Sequence, residues 1–281
     1  MLARLPATPH ALAADLDLGD HAVRVVLEAL AQWRVVEEDG SGTYALGPAA
    51  PASPDATAVL RHHAAAIRNW AGQVEPSLRG SERPRSPGDG MGIMLAALDV
   101  NGRDSAPGAV DACLERLPAA RRALDLGGGH GQYALELARR GLDVTLQDQA
   151  PAVEWVEQRG ELAEAGVTLF TGDLFETLPE RPFDLVFCAG VVYTYDPDQV
   201  TELYRRARTA IAPAGALAVH TFVRKDHPLA PIFAVQMLGS RRGGDTHGLD
   251  DHRCWLEEAG YGTIEPVQLA RRPEHLLLAW P

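Results

Sequence analysis

The sequence predicts an α/β protein: a mostly parallel sheet covered by helices on both faces, preceded by a smaller, mostly helical module. Three observations predict it. From residue 119 onwards, short apolar runs alternate with segments of helical periodicity. Gly127, Gly128, Gly129 and Gly131 join the first of those runs to the first helical segment. Residues 1–50 differ, with two helical patterns followed by strand, turn and strand.

Composition narrows the class. The chain has 281 residues, 46% hydrophobic and 23% charged, which excludes a disordered, collagen-like or disulfide-scaffold protein. That length holds one large domain, or a standard domain and a small one. Lys and Arg total 26 against 38 Asp and Glu, a net charge of −12, and the basic residues form no strong cluster. A nucleic-acid or other polyanion partner is therefore not expected. Cys113, Cys188 and Cys254 form no CxxC pair, so neither a zinc ribbon nor a disulfide framework is expected. Free thiols fit a reducing compartment. The start, MLARLPATPHALAADLDLGD, lacks a signal-peptide core, and no window approaches the ~18 apolar residues of a membrane span. A cytoplasmic protein with no membrane contact is expected.

The first zone, 1–50, opens with Thr8-Pro9-His10 before ALAADL. Asp20 reads as the N-cap of a second helix, with Val23, Val26, Leu27, Leu30 and Trp33 on one face. VVEEDGSGTYAL then reads as a hairpin turning at Asp39-Gly40 and Ser41-Gly42. Helix, turn, helix and hairpin make a winged-helix-like pattern, which raises DNA binding. Residues 1–50 carry Arg4, Arg24 and Arg34 against seven acids, Asp15, Asp17, Asp20, Glu28, Glu37, Glu38 and Asp39. Phosphate neutralisation supplies most non-specific DNA affinity, so a packing or dimerisation module is the better reading. The second zone, 51–118, opens with the linker-like PASPD. A helix follows over HHAAAIRNWAGQVEPSL, then a Pro/Gly-rich loop at 81–92 that reads as a substrate lid, then a helix towards Leu117. The third zone, 119–281, reads as strand RALDL, helix YALELARRG, strand DVTLQD, helix VEWVEQRGELAEAG, and strands VTLFTGD and FDLVFCAG. Helix DQVTELYRRARTAIA, strand ALAVHTFV, helix DDHRCWLEEAGY and a terminal hairpin of TIEPVQLA with HLLLAWP complete it.

The glycine loop is the strongest chemical signal. Glycines let backbone turn sharply and approach a ligand, and the following helix offers unpaired N–H groups. A dinucleotide site would take GxGxxG, but the third position here is Gln132, and the glycine falls at Gly131. Asp125 precedes the loop. Asp148 ends the second strand, 21 residues after Gly127, where a carboxylate can accept both ribose hydroxyls. Asp173, after the third strand, could accept from an adenine amino group.

LDLGGGHGQYALELA, VTLQD, TGDLF and IAPAGALAVH resemble a class I S-adenosylmethionine-dependent methyltransferase. With the winged-helix-like start, nearly the whole chain is similar to the small-molecule O-methyltransferases that include plant caffeate and bacterial polyketide enzymes. The resemblance implies a Rossmann-like seven-stranded sheet with a terminal antiparallel hairpin. It implies S-adenosylmethionine as cofactor, held by Asp125, Gly127, Gly129, Gly131, Asp148, Gln149, Asp173, Leu174, Cys188 and Ala189. It also implies a homodimer, although the usual N-terminal dimerisation helices are shortened or missing here.

Methyl transfer is an in-line displacement, and a neutral hydroxyl acceptor needs a base. The resemblance implies a histidine after the fourth strand of the sheet. This chain departs from it: Tyr193 stands there, in GVVYTYD, and the two orienting acids fall at Thr221, beside His220, and near Gly244. Three readings stay open. The acceptor could be an already nucleophilic nitrogen or ring carbon, as in an indole, with Tyr193 and His220 orienting it or moving its proton. His220 or His247 could serve as base for O-methylation. The fold could bind cofactor without transferring methyl, as a scaffold or a winged-helix regulator. Trp70, Met91, Met94, Phe222, Phe233, Met237 and His247 are expected to line a pocket for a flat aromatic acceptor. No His, Cys or carboxylate spacing suggests a metal.

Overall fold

The computed structural model describes residues 1–51, 53–79, 90–240, 244–270 and 272–281, without the side chains of 69–78 and 238–240. The chain forms two compact units, Met1–Thr57 and Ala58–Pro281.

In the smaller unit, Thr8 caps α1 (Pro9–Leu16) by accepting from the Ala11 N–H at 3.2 Å. α2 spans Asp20–Gln32, with Gly19 at the N-cap, so Asp20 is the first helical residue rather than the cap expected of it. The hairpin pairs β1 (Val36–Glu38) with β2 (Tyr44–Leu46). Leu12, Val23, Leu27, Val36 and Tyr44 form its core. Val26 and Trp33 depart from the expected face, at 43% and 71% exposure. The buried stripe of α2 is narrow, Val23 and Leu27 one turn apart, and Trp33 lies past the last helical turn, where helical spacing no longer applies.

α3 (Pro54–Leu78) leads into the larger unit. Of the loop expected at 81–92, residues 81–89 lie outside the described residues, whereas Gly90, Met91 and Gly92 open α4 (Gly90–Arg116). The seven-stranded sheet runs β5-β4-β3-β6-β7-β9-β8. Its strands are β3 (Arg122–Leu126), β4 (Asp143–Asp148), β5 (Thr168–Thr171), β6 (Phe183–Ala189), β7 (Ile211–Phe222), β8 (Thr263–Gln268) and β9 (Glu274–Trp280). The first five are parallel to one another, and β9 runs antiparallel to both β7 and β8. α5 (Gln132–Arg139) and α6 (Ala150–Glu157) follow the first two strands; α8 (Pro197–Thr209), α9 (Leu229–Ser240) and α10 (Leu249–Glu258) come later. The single helix expected over VEWVEQRGELAEAG is broken: α6 ends, Gly160 turns at φ +76°, and α7 (Glu161–Glu164) restarts.

Strand residues alternate between two cores. Ala123, Leu185, Phe187, Ala218 and Leu276 pack with α4, α5 and α6. Leu124, Val186, Cys188, Val219 and Leu277 pack with α8 and α10. Burial on both faces explains why these strands read as continuous apolar runs. α4, placed by the sequence in a linker and lid zone, supplies Ala106, Ala109, Val110 and Cys113 to the first core.

Two glycines of α4 differ in surroundings. A Cβ on Gly102 would strike the His130 ring and come 2.9 Å from Gln132 Cβ, whereas one on exposed Gly108 meets nothing within 4 Å. Gly108→Ala should therefore raise stability by about 0.5–1 kcal/mol in urea unfolding. Gly102→Ala should lower it by about 1–3 kcal/mol.

Candidate active site

The turn from β3 to α5 is built from backbone geometry that side chains resist. Gly127, Gly129 and Gly131 sit at φ +73°, +47° and +79°. A Cβ on Gly128 would fall 2.6 Å from Leu146 Cγ and 2.8 Å from Asp125 Oδ2. The Gly127 and Gly128 N–H groups donate to the Gln147 carbonyl at 2.9 and 3.1 Å. Asp148 Oδ2 accepts from Gly129 N–H at 2.8 Å, and its Oδ1 from Gln149 N–H at 2.7 Å. Gln149 Nε2 in turn donates to Asp173 Oδ2 at 3.3 Å. Asp148, Gln149, Asp173 and the loop are thus one connected group at the carboxyl ends of β3, β4 and β5. Burial pushes the Asp148 carboxyl above its usual range.

Asp125 lies beneath this loop at 1% exposure. Its Oδ2 accepts from Ala134 N–H at 3.0 Å; its Oδ1 has no partner. Burial raises its pKa to about 7, against the pull of the Ala134 bond. Behind the loop, Asp99 accepts from Gln132 Nε2 at 2.7 Å and pairs with Arg103 and Arg159, joining α4 to the start of α5. Leu174 and Val191 fence Gly127 from the other side. Cys188 is 1% exposed in the core shared with α8, so only its backbone can serve a ligand. Ala189, half-buried, ends β6 opposite His220.

A second group lies at the ends of β6, β7 and β9. His220 is 4% exposed, with Nδ1 3.0 Å from the Tyr133 hydroxyl and Nε2 unpartnered. Tyr133 also lies 2.8 Å from Ser105 Oγ, and Ser105 reaches the Asn101 carbonyl at 3.1 Å. Hydrogen-bond counting assigns the protons. With Nδ1–H donating to Tyr133, Tyr133 O–H to Ser105, and Ser105 O–H to Asn101, all three bonds are made. The other tautomer makes two and strands a buried N–H, the rarer defect. His220 Nε2 is therefore a bare acceptor. Burial, helped by Arg272 and His275, lowers the His220 pKa to about 4, so the ring is neutral at pH 7.

Tyr193 follows β6, its hydroxyl resting against Gly190, which turns at φ +69° and where a Cβ would come within 2.8 Å of that hydroxyl. The Tyr193 and Phe233 rings meet edge-on at 4.7 Å, and Phe233 stacks on Phe222 at 4.5 Å. Burial, then the charge of Glu274, drives the Tyr193 pKa far above that of a free tyrosine. Met237 is buried on the same helix as Phe233; Met91 and Met94 are half-buried in the first turns of α4. The His247 ring packs edge-on against Trp255 at 4.8 Å and His252 at 5.9 Å, two residues after Asp245, whose N–H donates to the Tyr193 carbonyl at 3.0 Å. The Trp70 side chain lies outside the described residues.

Residues 123–215 match the family model described as a methyltransferase domain. That stretch, about a third of the chain, is similar to a methyltransferase domain. The mitomycin biosynthesis 6-O-methyltransferase of Streptomyces lavendulae is 30% identical over 148 residues, half of this chain and 42% of that protein. The chain spans less than half the length of the first curated relatives it matches. In fold it is similar to mitomycin 7-O-methyltransferase, with a TM-score of 0.81 at 23% identity over 99% of this chain and 89% of that one. Human N-acetylserotonin methyltransferase in complex with its cofactor gives 0.78 at 20% identity, over 99% and 89%. The residues of this stretch fit S-adenosylmethionine as the cofactor. A Cβ on Gly129, at φ +47°, would come into contact with Leu95 at 3.5 Å and Asp148 Oδ2 at 3.9 Å. Each Asp148 oxygen keeps a lone pair for a ribose hydroxyl, and Asp125 Oδ1 is a buried polar atom without a partner.

The sequence left Ser105, Tyr133, Val191 and Glu274 without a role. Tyr133 lay inside the quoted glycine motif, and Glu274 is the lone acid heading an apolar strand. Among the described residues no three His, Cys, Asp or Glu side chains are grouped as for a metal, and no helix is long and apolar enough to cross a membrane.

Two predictions follow from the geometry. Asp125 stays protonated in the fold up to about pH 7, while in the unfolded chain it ionises above about pH 4. Each pH unit between those values thus favours unfolding by up to about 1.4 kcal/mol. Asp125→Asn should remove that slope, so the urea midpoints of variant and wild type diverge as pH rises from 4 to 7 and run parallel above. Nitrogen NMR of His220 should show a protonated Nδ1; a protonated Nε2 would contradict the assigned relay.

Proposed function

We propose that this protein transfers a methyl group to a nitrogen or ring carbon of a small, flat, heteroaromatic metabolite, such as an indole-like compound. When bound, the cofactor supplies an electrophilic methyl group on a sulfonium sulfur. Asp148 would hold the ribose hydroxyls, Asp173 with Gln149 the adenine edge, and Gly127, Gly129 and Gly131 the space for the remainder. Asp125, Leu174, Cys188 and Ala189 complete that wall. Phe222, Phe233 and Met237, with Met91 and Met94 of α4, would flank the acceptor ring and exclude water.

One observation carries the choice of acceptor atom: no strong base stands where the resemblance expects one. Tyr193 occupies the position, and burial holds its hydroxyl protonated. His220 is a weak base, its pKa lowered to about 4 by burial. A nitrogen or electron-rich carbon attacks with its own electron pair and loses its proton afterwards, whereas a phenol must lose its proton first. His220 Nε2, as a bare acceptor, suits orienting an N–H. O-methylation is the second reading, favoured by the names of the relatives, with the same His220 nitrogen as base. The acidic N-terminal unit is proposed as a packing or dimerisation module.

Labelled-methyl transfer to matched indoles, anilines and phenols tests the reading. Products on nitrogen or carbon are expected, and transfer to phenols alone overturns it. Tyr193→Phe and His220→Ala should each lower kcat/KM about tenfold, about 1.4 kcal/mol of transition-state binding. Unchanged turnover in both would remove these residues from the site.

A further inference from the structure

We propose that Glu274 is the specificity-determining carboxylate of the acceptor site and selects acceptors that present a protonated amine. The inference rests on the methyltransferase reading above and names a substrate class for it.

The backbone places Glu274 there. It opens β9 opposite Phe222 of β7, two residues along that strand from His220. Side chains two apart on a strand share a face, and diagonal neighbours across a strand pair lie about 7–8 Å apart. Glu274, Phe222 and His220 thus share the sheet face that carries Tyr133. Phe222 continues through Phe233 to Tyr193 in one aromatic stack. The charge of Glu274 acts on both Tyr193 and Tyr133.

Two polar atoms of this patch lack partners. Glu274 Oε2 and His220 Nε2 are both shielded from solvent and accept no hydrogen bond. The neighbouring groups leave that carboxylate oxygen unpaired: Arg272 is paired with Asp104, and His227 accepts the Leu229 N–H at its Nδ1. Burial accordingly raises the Glu274 pKa. A shielded carboxylate oxygen without a partner is costly, and a ligand that supplies a cationic donor recovers that cost. Both orphan atoms are acceptors, so the ligand must bring donors. An ammonium brings three N–H groups and a charge; an alcohol brings one O–H. The aromatic stack beside them accepts the ring that carries the amine. A site built to bind such a donor rejects the isostere without it.

The test uses the full-length protein saturated with S-adenosylhomocysteine and two isosteric probes, 1-naphthylmethylamine and 1-naphthalenemethanol, titrated by calorimetry at pH 7.5. Wild type should bind the amine at least tenfold more tightly than the alcohol. Glu274→Gln should erase that preference by weakening the amine alone, with alcohol and S-adenosylhomocysteine affinities retained. Retained S-adenosylhomocysteine affinity also shows that the variant is folded. Equal affinity of wild type for both probes, no affinity for the amine, or a Gln variant that keeps the preference or weakens both probes alike would overturn the proposal. Failure of folded wild type to bind S-adenosylhomocysteine is a separate result, and it overturns the methyltransferase reading rather than the role of Glu274.

Discussion

The hold of β4 on the glycine turn is the constraint on which the rest depends. One carbonyl, that of Gln147, takes the Gly127 and Gly128 N–H groups, and the next residue, Asp148, takes the Gly129 N–H through its side chain. Three successive N–H groups are thereby aimed at the end of a single neighbouring strand. The turn can lie this close only because Gly128 has no Cβ to meet Leu146. Helix α5 starts where the turn leaves it, and the Asp99 cluster pins that start from α4. Asp148 therefore shapes the loop, and its remaining lone pairs are the ones proposed to serve a ligand.

Burial sets the acid–base character of what lies beside the turn. Tyr133, Tyr193 and His220 are all driven towards their neutral forms by desolvation. A neutral polar chain running from Ser105 through Tyr133 to His220 costs little when each donor finds an acceptor, and it fixes the imidazole in one orientation. The result is a site that orients and shields more readily than it deprotonates. This is why the proposed chemistry favours acceptors that are nucleophilic as they stand.

Much of the larger unit was legible because its central strands are buried on both faces and many of its turns carry glycine or a cap. The glycine loop, Asp148 and Asp173 were legible as a group because their order along the chain repeats the order of strands β3, β4 and β5. Tertiary facts were not. Gly160 lies in an otherwise helical pattern, and only its positive φ breaks the helix there. Trp33 follows the helical spacing of α2 but lies beyond the last turn. The Tyr133–His220 bond joins residues 87 apart, and nothing local to either announces the other. Glu274 reads as an unremarkable first residue of a strand until the register with Phe222 places it beside His220. The contact of the His247 ring with Trp255 was likewise not announced by either segment.

The central claim is that the glycine turn and Asp148 form a nucleoside site for S-adenosylmethionine. Calorimetric titration with S-adenosylhomocysteine tests it most directly, with NAD as the control and Asp148→Asn as the variant. The account predicts binding of S-adenosylhomocysteine but not NAD, weakened at least tenfold in the variant. A folded wild-type protein that binds neither ligand would contradict it, and the turn would then be a purely structural junction between β3 and α5.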